Sequence, residues 1–598
     1  MFDGLDEVFD RATQSTVIDD IIRFAQQYPK AQVLITSRIV GYNPDRLQHA
    51  KFRHFTIQPL DTNEINEFID RWYELSMGSD PDKKRLKKRL KDTIANSKAI
   101  QNLADNPLLL TMMTILNRRQ ELPRDRADLY EQASRVLLYH WDVDHKRLQL
   151  PMDAIGRREK QEMLRAIAYE MQAGDEGLKG NLISADRLTL IVTNYLREQG
   201  FSEPREKASH LIQQLRERNF ILCYRGADTY GFVHRTFLEY FCAVEIVNRF
   251  EKRRTLTFEQ LRDNVFGYYW QDEAWREVLK LISGMLDTRF IKEIIDYLVA
   301  RSDDDNDSVL IIAAICILEV KNNAILIETS TKLFHKLKKL VEYKSYMLAT
   351  RDSNLSSEKY LKLLTFCTHA VLVIPEVWTE YPDTLSWIKR RVQSQTPEIR
   401  GAAITALARF WRDELETLPL LKSYALKDED WEVKVIVIQE LAKSWNQDLE
   451  VLEIIKNSAE RIEDPNVQQV ALQELARRWK NEKDTLSILI RYSKSTKCFF
   501  GVRSEAIKEL AKGWSNETWM FDFLYETSLK DPFVRKHDSN RNPRLTSLKA
   551  ILTYYSTHRK TWELLHDRAT NDPDEQLREW AQEQLKMQND KLKMEDTP

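Results

Sequence analysis

The chain has 598 residues, and its 90 Lys and Arg against 92 Asp and Glu leave a net charge of −2. Hydrophobic residues make up 42% and charged residues 30%, which excludes a disordered chain and indicates a soluble globular protein. The even charge balance argues against nucleic-acid binding over a broad surface, although local patches stay open. With only 15 Gly and 17 Pro, turn residues are scarce, so the sequence predicts a mainly α-helical fold in which any sheet is small.

The five cysteines are scattered, and no two share a C-x-x-C spacing. We interpret them as free buried thiols in a reducing compartment, and no zinc-binding pattern is visible. The first ten residues, MFDGLDEVFD, are acidic and do not resemble a signal peptide. The longest apolar runs, Val309–Leu318 and Pro107–Leu116, have about half of the ~20 residues that a membrane-spanning helix needs. We expect a cytoplasmic protein without a membrane segment.

The first sixty residues predict a piece of α/β structure. Ala31–Ser37 reads AQVLITS, a short apolar run rich in β-branched residues that is typical of a buried parallel strand. A helical pattern precedes it, and a second short strand is expected at Phe55–Gln58. A strand, a crossover helix and another strand form half of an α/β nucleotide-binding unit. Met1 and Phe2 are then interpreted as the end of an earlier strand.

Acidic residues follow the first strand end, at Asp3, Asp6 and Glu7. A carboxylate at the C-terminal end of a buried strand is where a P-loop NTPase holds Mg²⁺, and acidic residues beyond it can orient or deprotonate the attacking water. Arg38 follows the next strand, where a cation can reach a γ-phosphate. Taken singly, the acidic string could be a surface loop and Arg38 a surface charge. Their spacing, one crossover apart, favours one side of a nucleotide site.

These segments resemble a known protein family. The stretches FDGLDEV, VLITSRIVGY and IQPLDTNEINEFIDRWY are similar to the Walker B, sensor 1 and following segments of bacterial NACHT NTPases, members of the STAND class of signal-transduction NTPases. The resemblance continues through Asn102–Leu116, Leu122–Ala133 and Phe232–Ala243. It implies the C-terminal remnant of a P-loop α/β NTPase core, followed by a helical domain and a winged helix.

The resemblance also implies catalytic and metal-binding positions. Asp3 would hold Mg²⁺ through its water shell, and Asp6 or Glu7 would support activation of the attacking water. Arg38 would act as the sensor of the γ-phosphate. The expected cofactors of the full-length protein are therefore ATP or ADP together with Mg²⁺.

Two further positions are expected near the nucleotide because of the same resemblance. Pro107, in the Asn106-Pro107 pair that opens an apolar helix, would pack near the adenine. His234 matches the winged-helix histidine that contacts the β-phosphate and holds the inactive, diphosphate-bound state closed. Without the resemblance, the Asn-Pro pair would be only a helix start and His234 an ordinary core histidine.

The phosphate-binding loop of such a site is not found, since no G-x-x-x-x-G-K-[ST] occurs in the 598 residues. Its backbone amides and lysine supply most of the phosphate binding. In the family that loop precedes Walker B and would lie before Met1. We therefore expect a fragment, a misplaced start or a split gene. This chain alone is expected to bind nucleotide weakly or not at all, and its status as an enzyme is left open.

The next segments are predicted to be a helical domain over 61–125 and a winged helix over 126–249, after an NTPase core over 1–60. Lys83–Lys91 holds seven basic residues out of nine and is interpreted as a solvated helix face rather than a site for an acidic partner or nucleic acid. Winged helices often bind DNA. The candidate third helix, Pro204–Asn219, mixes acidic and basic residues, so an intramolecular lid is the preferred interpretation. The hairpin of the wing is expected at Phe220–Tyr224 with Tyr230–His234.

The C-terminal third contains an internal repeat. One helix-face pattern, spaced i, i+3, i+4 and i+7, ends in an aromatic residue at Trp411, Trp445, Trp479, Trp514 and, in a degenerate copy, Tyr555. The tetratricopeptide pattern is missing, and the form resembles HEAT-type repeats. We interpret the tryptophans as core residues between stacked helices of an α-solenoid. The array is predicted over 396–590, after a helical linker or first helical repeats over 250–395.

Three functions follow from these patterns. The first is a nucleotide-controlled signalling switch of the NACHT/STAND class, which in bacterial relatives is linked to defence against phage. Its repeats would sense a protein or another extended ligand, and the full-length protein would form a homo-oligomer on activation. The second is a non-hydrolysing HEAT-repeat interaction scaffold. The third, a winged-helix DNA-binding protein, is weighed lower, and no membrane partner is expected.

Overall fold

The computed structural model describes most of the chain, namely residues 2, 5, 11–28, 31, 33–37, 46–47, 50, 52, 60–96, 98–118, 121–123, 126–135, 157–174, 182–217, 222–226, 229–232, 234–302, 306–320, 324–350, 356–461 and 464–595. The prediction of a mainly helical fold is confirmed. The chain divides into a first unit, Met1–Gln27 with Val33–Leu333, and a second unit, Tyr28–Gln32 with Phe334–Pro598. The five finer segments expected from the sequence stay predictions.

Among the described residues of the N-terminal part are the helix Arg11–Gln27 and a parallel bridge between Phe2 and Ile35. The amide of Phe2 donates to the carbonyl of Leu34 at 2.8 Å, and the amide of Thr36 donates to the carbonyl of Phe2 at 2.9 Å. These bonds place the two predicted strand ends side by side. The expected strand at Phe55–Gln58 lies outside the described residues, and the larger NTPase core stays a prediction.

The helical domain contains the helices Thr62–Met77, Lys83–Asn96, Lys98–Ala104 and Pro107–Asn117. A capping box starts the first helix, because the Asp61 carboxylate accepts the Glu64 amide and the Glu64 carboxylate accepts the Asp61 amide. Asn117 joins three of the helices: its side-chain amide donates to the Tyr73 hydroxyl at 2.7 Å and to the Leu86 carbonyl at 2.8 Å. The domain thus has a buried polar contact that fixes the helices in one register.

The winged helix is built from five helices and a three-stranded sheet. The helices are 126–135, Arg157–Ala173, Ala185–Glu198, Pro204–Glu217 and Arg235–Glu251. The strands are Ile183–Ser184, Leu222–Gly226 and Thr229–Phe232, all antiparallel, with the third between the other two. The predicted hairpin is confirmed, and Leu222 lies opposite Phe232 in its register. The two-residue strand at Ile183 was not expected, because two residues are too few to show a strand period.

The rest of the first unit is helical. Its elements are Phe258–Gln260, the π-helical Leu261–Phe266, Gly267–Tyr269, the 3₁₀ turn Glu273–Trp275, Arg276–Met285, Thr288–Ala300, Ser308–Leu318 and the 3₁₀ turn Ala324–Leu326. A Cβ at Gly267 would lie 2.6 Å from the Tyr297 hydroxyl, so glycine permits this close approach. The helix Ile327–Thr350 contains the division between the two units.

The second unit continues with Ser357–Val377 and Pro382–Arg391 and then repeats a helix pair. We call the first members the A helices: Pro397–Phe410, Trp431–Ser444, Pro465–Arg478, Phe500–Trp514 and Pro543–Tyr554. The second members are the B helices: Thr417–Lys427, Leu449–Glu460, Lys483–Lys494, Met520–Lys530 and Arg559–Asn571. A last helix, Glu575–Glu595, follows. Each A helix packs directly against the next one, which agrees with the predicted array.

Four of the five repeat aromatic residues end their A helices in one shared way. Trp411, Trp445, Trp479 and Tyr555 are C-cap residues with φ between −123° and −136°, and the amide of each donates to the carbonyl four residues earlier. Trp514 instead lies inside its helix, Phe500–Trp514, whose C-cap residue is Ser515. Trp378 caps Ser357–Val377 in the same way as those four residues, with φ −120°. The sequence carries the same spacing there, which identifies an earlier copy that the sequence reading missed.

One described helix, Ser357–Val377, is long and apolar enough by composition to cross a membrane. The sequence analysis considered only unbroken apolar runs and did not single it out. Phe366, Ala370 and Ile374 on this helix are buried, and the helix packs against Pro397–Phe410 within the second unit. Packing against its neighbours therefore accounts for its apolar composition.

Candidate functional site

His234 stands at the start of the last helix of the winged helix, Arg235–Glu251. It is the N-cap residue, with extended backbone at φ −146° and ψ 142°. Its Nδ1 accepts a hydrogen bond from the Thr236 amide at 3.3 Å and lies 3.0 Å from the Thr236 hydroxyl. The strand Thr229–Phe232 leads into this position, so sheet and helix together fix the imidazole.

The hydrogen bond at the helix cap determines which nitrogen of the neutral imidazole carries the proton. Because Nδ1 accepts from an amide N–H, a neutral ring carries its proton on Nε2, which can then act as a donor. The ring is half-buried, and it stands where the aligned peptide dipoles of a 17-residue helix give a partial positive charge. A donor and a positive helix end at one place suit an anionic oxygen such as that of a phosphate.

Aromatic side chains hold the start of this helix in place. Phe232, Phe237 and Phe241 are all buried, as the sequence suggested, whereas His234 itself is only half-buried. The rings of Phe232 and Phe241 lie 6.1 Å apart, and those of Tyr130 and Phe237 lie 6.2 Å apart. The histidine is therefore a residue at the edge of a rigid core rather than a member of it.

Behind His234, buried polar contacts join the winged helix to the helices that follow. The Arg235 guanidinium donates to the Glu239 carboxylate at 2.9 Å, and both side chains are only 4% exposed. Gln172 on Arg157–Ala173 donates to the carbonyl of Ala274 at 3.0 Å. The Gln172 contact ties Arg157–Ala173 to the turn at Glu273–Trp275.

Arg126 makes a second connection between the same two parts. Its guanidinium donates to Glu277 at 2.7 Å and to Glu319 at 2.6 Å, and Lys280 donates to Glu277 at 2.9 Å. We call these four residues the charge clamp. Burial alone would lower the pKa of Arg126, but the charges of Glu277 and Glu319 hold it well above its ordinary value.

Burial and neighbouring charges also oppose each other at Glu277, where each shifts the pKa in the direction opposite to its effect at Arg126. Burial by itself raises the pKa of this carboxyl, whereas the charges of Lys280 and Arg126 and their hydrogen bonds lower it, and the result is about 2. Glu277 and Arg126 are therefore both ionised throughout the neutral range. No short-range sequence pattern links Arg126 to Glu277, so this contact could not be predicted from the sequence.

Pro107 is the first residue of the helix Pro107–Asn117, as the sequence predicted, and it is exposed. Asn106 precedes it, and the Asn106 side-chain oxygen accepts the Leu109 amide at 3.3 Å. The main packing partners of this helix are Lys83–Asn96 and Lys98–Ala104, whereas those of the His234 helix are Arg157–Ala173 and Arg276–Met285. The adenine contact stays a prediction.

The other predicted site residues, Asp3, Asp6, Glu7 and Arg38, lie outside the described residues. Their roles in Mg²⁺ binding, water activation and γ-phosphate sensing stay predictions. Close to them in sequence, the described residues Phe2 and Ile35 form a parallel bridge.

The basic run Lys83–Lys91 differs from the solvated face that the sequence suggested. Lys83 and Lys87 donate to Glu74 at 2.6 and 2.8 Å, and Lys91 donates to Asp70 at 3.0 Å. The hydrogen bonds from Lys83 and Lys87 lower the pKa of Glu74 to about 2. Much of the run is thus paired with the neighbouring helix Thr62–Met77 of the same chain.

The third helix of the winged helix, Pro204–Glu217, presents both signs of charge. Arg205 and Glu206 are exposed side by side, and Lys207 donates to the Ser202 hydroxyl at 3.0 Å. A helix that reads DNA presents basic and polar side chains to the groove. The mixed face agrees with the expectation of an intramolecular lid.

Comparison with known proteins gives one family match. Residues 126–246 match the family model described as the winged helix-turn-helix domain C-terminal to NACHT. The predicted NTPase core over 1–60 lies outside this match. A comparison with curated proteins finds no match.

The comparison with solved structures finds helical proteins at low identity. The crystal structure of Kap121p is 12% identical, with a TM-score of 0.32, over 95% of this chain and 56% of that chain. A structure of the UNC-45 chaperone, titled as critical for binding and folding muscle myosin, is 11% identical, with a TM-score of 0.21, over 95% of this chain and 62% of that one. This chain thus spans less than two thirds of the length of either. At residues 126–246 it is similar to the winged helix that follows a NACHT domain.

Proposed function

We propose that the chain is part of a nucleotide-controlled signalling switch of the NACHT class, in which the winged helix is the lid and the helical repeats bind a ligand. The observation that carries this proposal is the family match at 126–246 together with the placement of His234 inside it. The histidine lies at the junction of a strand and a helix, where we expect a lid residue that contacts a phosphate.

The residues of this chain account for the closed state as follows. A bound nucleoside diphosphate supplies the negative charge that the lid recognises. His234 donates from Nε2, because Nδ1 is engaged by the Thr236 amide. The positive end of Arg235–Glu251 adds to the attraction. Asp3, Asp6, Glu7 and Arg38 would serve Mg²⁺ and the γ-phosphate in the same site.

The charge clamp supports the transmission of lid movement. Arg126 of the winged helix forms ion pairs with Glu277 and Glu319. Glu277 lies in the helix Arg276–Met285, and Glu319 is the C-cap residue of the helix Ser308–Leu318. A displacement of the lid therefore either moves these helices with it or breaks two buried ion pairs. We propose that this connection couples nucleotide state to the helical region.

Binding of fluorescent ADP tests the proposal, on this chain and on an extended form that includes any sequence preceding it in the complete protein. His234→Asn keeps an N-cap oxygen and removes the imidazole. We expect it to weaken ADP binding by the extended form about tenfold, the loss of one charge-assisted hydrogen bond. His210→Asn, at an exposed position of the third helix, is the matched control and should change nothing.

The decisive contrary result is an extended form without a phosphate-binding loop and without affinity for ADP. The switch would then be abandoned in favour of the interaction scaffold, in which the repeats act without nucleotide. Equal effects of the two histidine substitutions would retain the switch but remove His234 from the phosphate contact.

A further inference from the structure

Six exposed basic side chains recur at two fixed positions beside the repeat aromatic residues. Two residues before the aromatic residue stand Arg409, Lys443, Arg477 and Lys512. One residue after it stand Arg412 and Lys480, and the copies at Trp445 and Trp514 have Asn446 and Ser515 there. The pattern is limited to these four copies, because the Tyr555 copy has Thr553 and Ser556, and the Trp378 copy has Glu376 and Thr379. We call the six basic residues the cationic strip.

The side chains of the strip are held near the surface of successive A helices. The Arg409 side chain is 53% exposed, and its nearest carboxylate, that of Glu376, is 3.9 Å away. Arg412 lies over the ring of Trp445 at 5.9 Å, and Lys480 lies over the ring of Trp514 at 5.5 Å. Each of these two cations is thus placed by the aromatic residue of the next repeat, so the strip runs continuously across repeats.

Carboxyl groups of the A helices lie beneath the strip and offset part of its charge. Glu440, Glu474 and Glu509 each come three residues before a basic member; Glu474 and Glu509 are buried and Glu440 is half-buried. Burial raises the pKa of Glu440 and of Glu509, although the charges of Lys443 and Arg409 act on Glu440 and that of Lys512 acts on Glu509. The basic row is therefore the more exposed of the two.

A basic residue in the last turn of a helix also interacts favourably with the helix dipole. That interaction is available at any position of the last turn, and it does not reach residues beyond the C-cap. It explains neither the alignment at one position in four successive A helices nor the cations at Arg412 and Lys480. The periodic placement therefore has a second cause, which an extended ligand provides.

The spacing of the strip matches an extended polypeptide. Stacked helices lie about 8–10 Å apart, and a Cβ at Gly401 would lie 2.6 Å from the Ile436 side chain, which shows how closely the first two A helices approach. Three residues of an extended chain advance about 10 Å. A carboxylate at every third residue therefore meets one basic residue of the strip per repeat.

A cavity next to Arg477 offers a place for one further side chain. It has a volume of about 330 Å³, and its lining includes Leu449, Trp479 and Lys480 together with the acidic Asp448 and Glu482. Polar, charged and apolar groups thus meet at one point of the strip. A small polar side chain of a bound peptide would fit this cavity while the carboxylates of the peptide stay on the strip.

We propose that the cationic strip binds an extended acidic peptide with carboxylates three residues apart, over the four repeats from Arg409 to Lys512. The inference deepens the proposed function, because it names the class of ligand and rests on the array being the ligand-binding part. A single-stranded nucleic acid fits less well. Its bases need exposed aromatic faces for stacking, whereas Trp411 and Trp479 are buried as helix caps.

Fluorescence anisotropy on the full chain tests the proposal with labelled ten-residue peptides. The first probe carries Glu at every third residue, with Ser and Gly between. The second has the same composition with its Glu residues clustered at one end, and the third has Gln in place of Glu. We expect binding that weakens with salt, in the order of spaced Glu, clustered Glu and Gln.

The double variant Lys443→Glu with Lys512→Glu should weaken binding of the spaced peptide about tenfold or more. Lys427→Glu with Lys497→Glu makes the same change in net charge at exposed positions off the strip, and it should leave the affinity unchanged. Equal loss in both double variants, or no preference for spaced Glu, would overturn the proposal. So would tighter, strip-dependent binding of oligo-dT, which would assign the strip to nucleic acid.

These measurements need no nucleotide, so they remain informative if the extended form fails to bind ADP. In that case peptide binding would support an interaction scaffold with the same ligand class. Conversely, ADP binding without peptide binding would retain the switch and reject the strip as its sensor.

Discussion

Arg126 contacts carboxylates that lie 151 and 193 residues further along the chain. Its guanidinium and the Lys280 ammonium face Glu277 and Glu319, so the charge clamp holds two positive and two negative charges. Removing one member of a buried ionic cluster leaves an uncompensated charge in a region of low dielectric. Arg126 is therefore the single residue of the winged helix whose side chain we expect to matter most for its attachment.

Arg126→Met should destabilise the first unit by about 2–3 kcal/mol, somewhat below the usual cost of breaking a buried pair because Glu277 is partly open to solvent. The matched control is Arg135→Met on the same helix, where the partner is the surface residue Glu131. That change should cost less than about 0.5 kcal/mol. Thermal unfolding followed by circular dichroism measures both. Similar midpoints for the two variants would show that the clamp adds no stability.

The pKa of Glu277 predicts how the stability that the charge clamp contributes changes with pH. This pKa is about 2 in the folded protein against the ordinary value of 4.5, so the contribution of Glu277 is complete above about pH 5 and is lost as the pH falls towards 2. The stability difference between the wild type and Glu277→Gln should follow that course. Unfolding midpoints measured from pH 7 to the most acid pH at which the protein stays soluble give this difference. A difference that stays constant down to pH 3 would contradict the assignment.

At the scale of elements, the repeat is maintained by contacts at fixed distances from its aromatic residue. Six residues after that residue stands a threonine at Thr384, Thr417, Thr485 and Thr561. The Thr384 hydroxyl donates to the Trp378 carbonyl at 2.7 Å, and the Thr561 hydroxyl donates to the Tyr555 carbonyl at 2.7 Å. The hydroxyls of Thr417 and Thr485 are buried without a hydrogen-bond partner. The same position of the repeat therefore occurs in two states: its hydroxyl is hydrogen-bonded in some copies and has no hydrogen-bond partner in others.

Replacement by valine separates the two states, because valine has nearly the shape of threonine. Thr384→Val should destabilise the second unit by about 1 kcal/mol, since the Trp378 carbonyl loses the Thr384 hydroxyl as a donor and keeps only the Tyr381 amide. Thr485→Val removes a hydroxyl that has no partner and should be neutral or stabilising. Urea unfolding followed by tryptophan fluorescence compares the two variants. Equal losses would mean that the hydroxyl-to-carbonyl bond contributes nothing.

A second repeated contact joins the A helices to the turns that follow the B helices. Arg400, Arg503 and Arg544 form paired hydrogen bonds with Asp residues 28 positions later, at Asp428, Asp531 and Asp572. The Arg544 pair is the most buried of the three. The corresponding positions of the other two A helices hold Lys434 and Gln468. Paired guanidinium–carboxylate bonds fix both distance and direction, so they hold neighbouring repeats in one arrangement.

These particulars explain what the sequence could predict. The helix-face period and the 34-residue step are local signals, so the A helices and the wing hairpin followed from the sequence alone. The C-cap position of the aromatic residues did not, because the sequence suggested only that they are core residues; Trp411 and Trp479 are buried, whereas Trp445 and Trp514 are half-buried. The 28-residue Arg–Asp contact and the cationic strip were present in the same alignment of repeats and could have been read from it. The partners of Arg126 could not, because pairing across more than 150 residues leaves no local pattern. The copy at Trp378 was missed because Pro375 interrupts the pattern.

At the scale of the whole molecule, the chain carries a proposed nucleotide contact at His234 and a proposed ligand surface on the A helices. Each unit contains one of the two. If a ligand on the repeats releases the lid, binding of ADP and binding of that ligand must weaken each other by the same factor, because the two affinities are linked through one equilibrium. Typical coupling between sites is about 1–3 kcal/mol, which corresponds to a factor of about 5–150.

We therefore expect that a saturating concentration of the spaced acidic peptide lowers the ADP affinity of the extended form about tenfold, and that ADP lowers its peptide affinity equally. Isothermal titration of each ligand with and without the other gives both factors. Lys443→Glu with Lys512→Glu should keep the ADP affinity but abolish the effect of the peptide, whereas His234→Asn should reduce ADP binding and leave the peptide affinity intact. A factor of one in both directions, with each ligand binding normally on its own, would show that the repeats and the lid do not share an equilibrium.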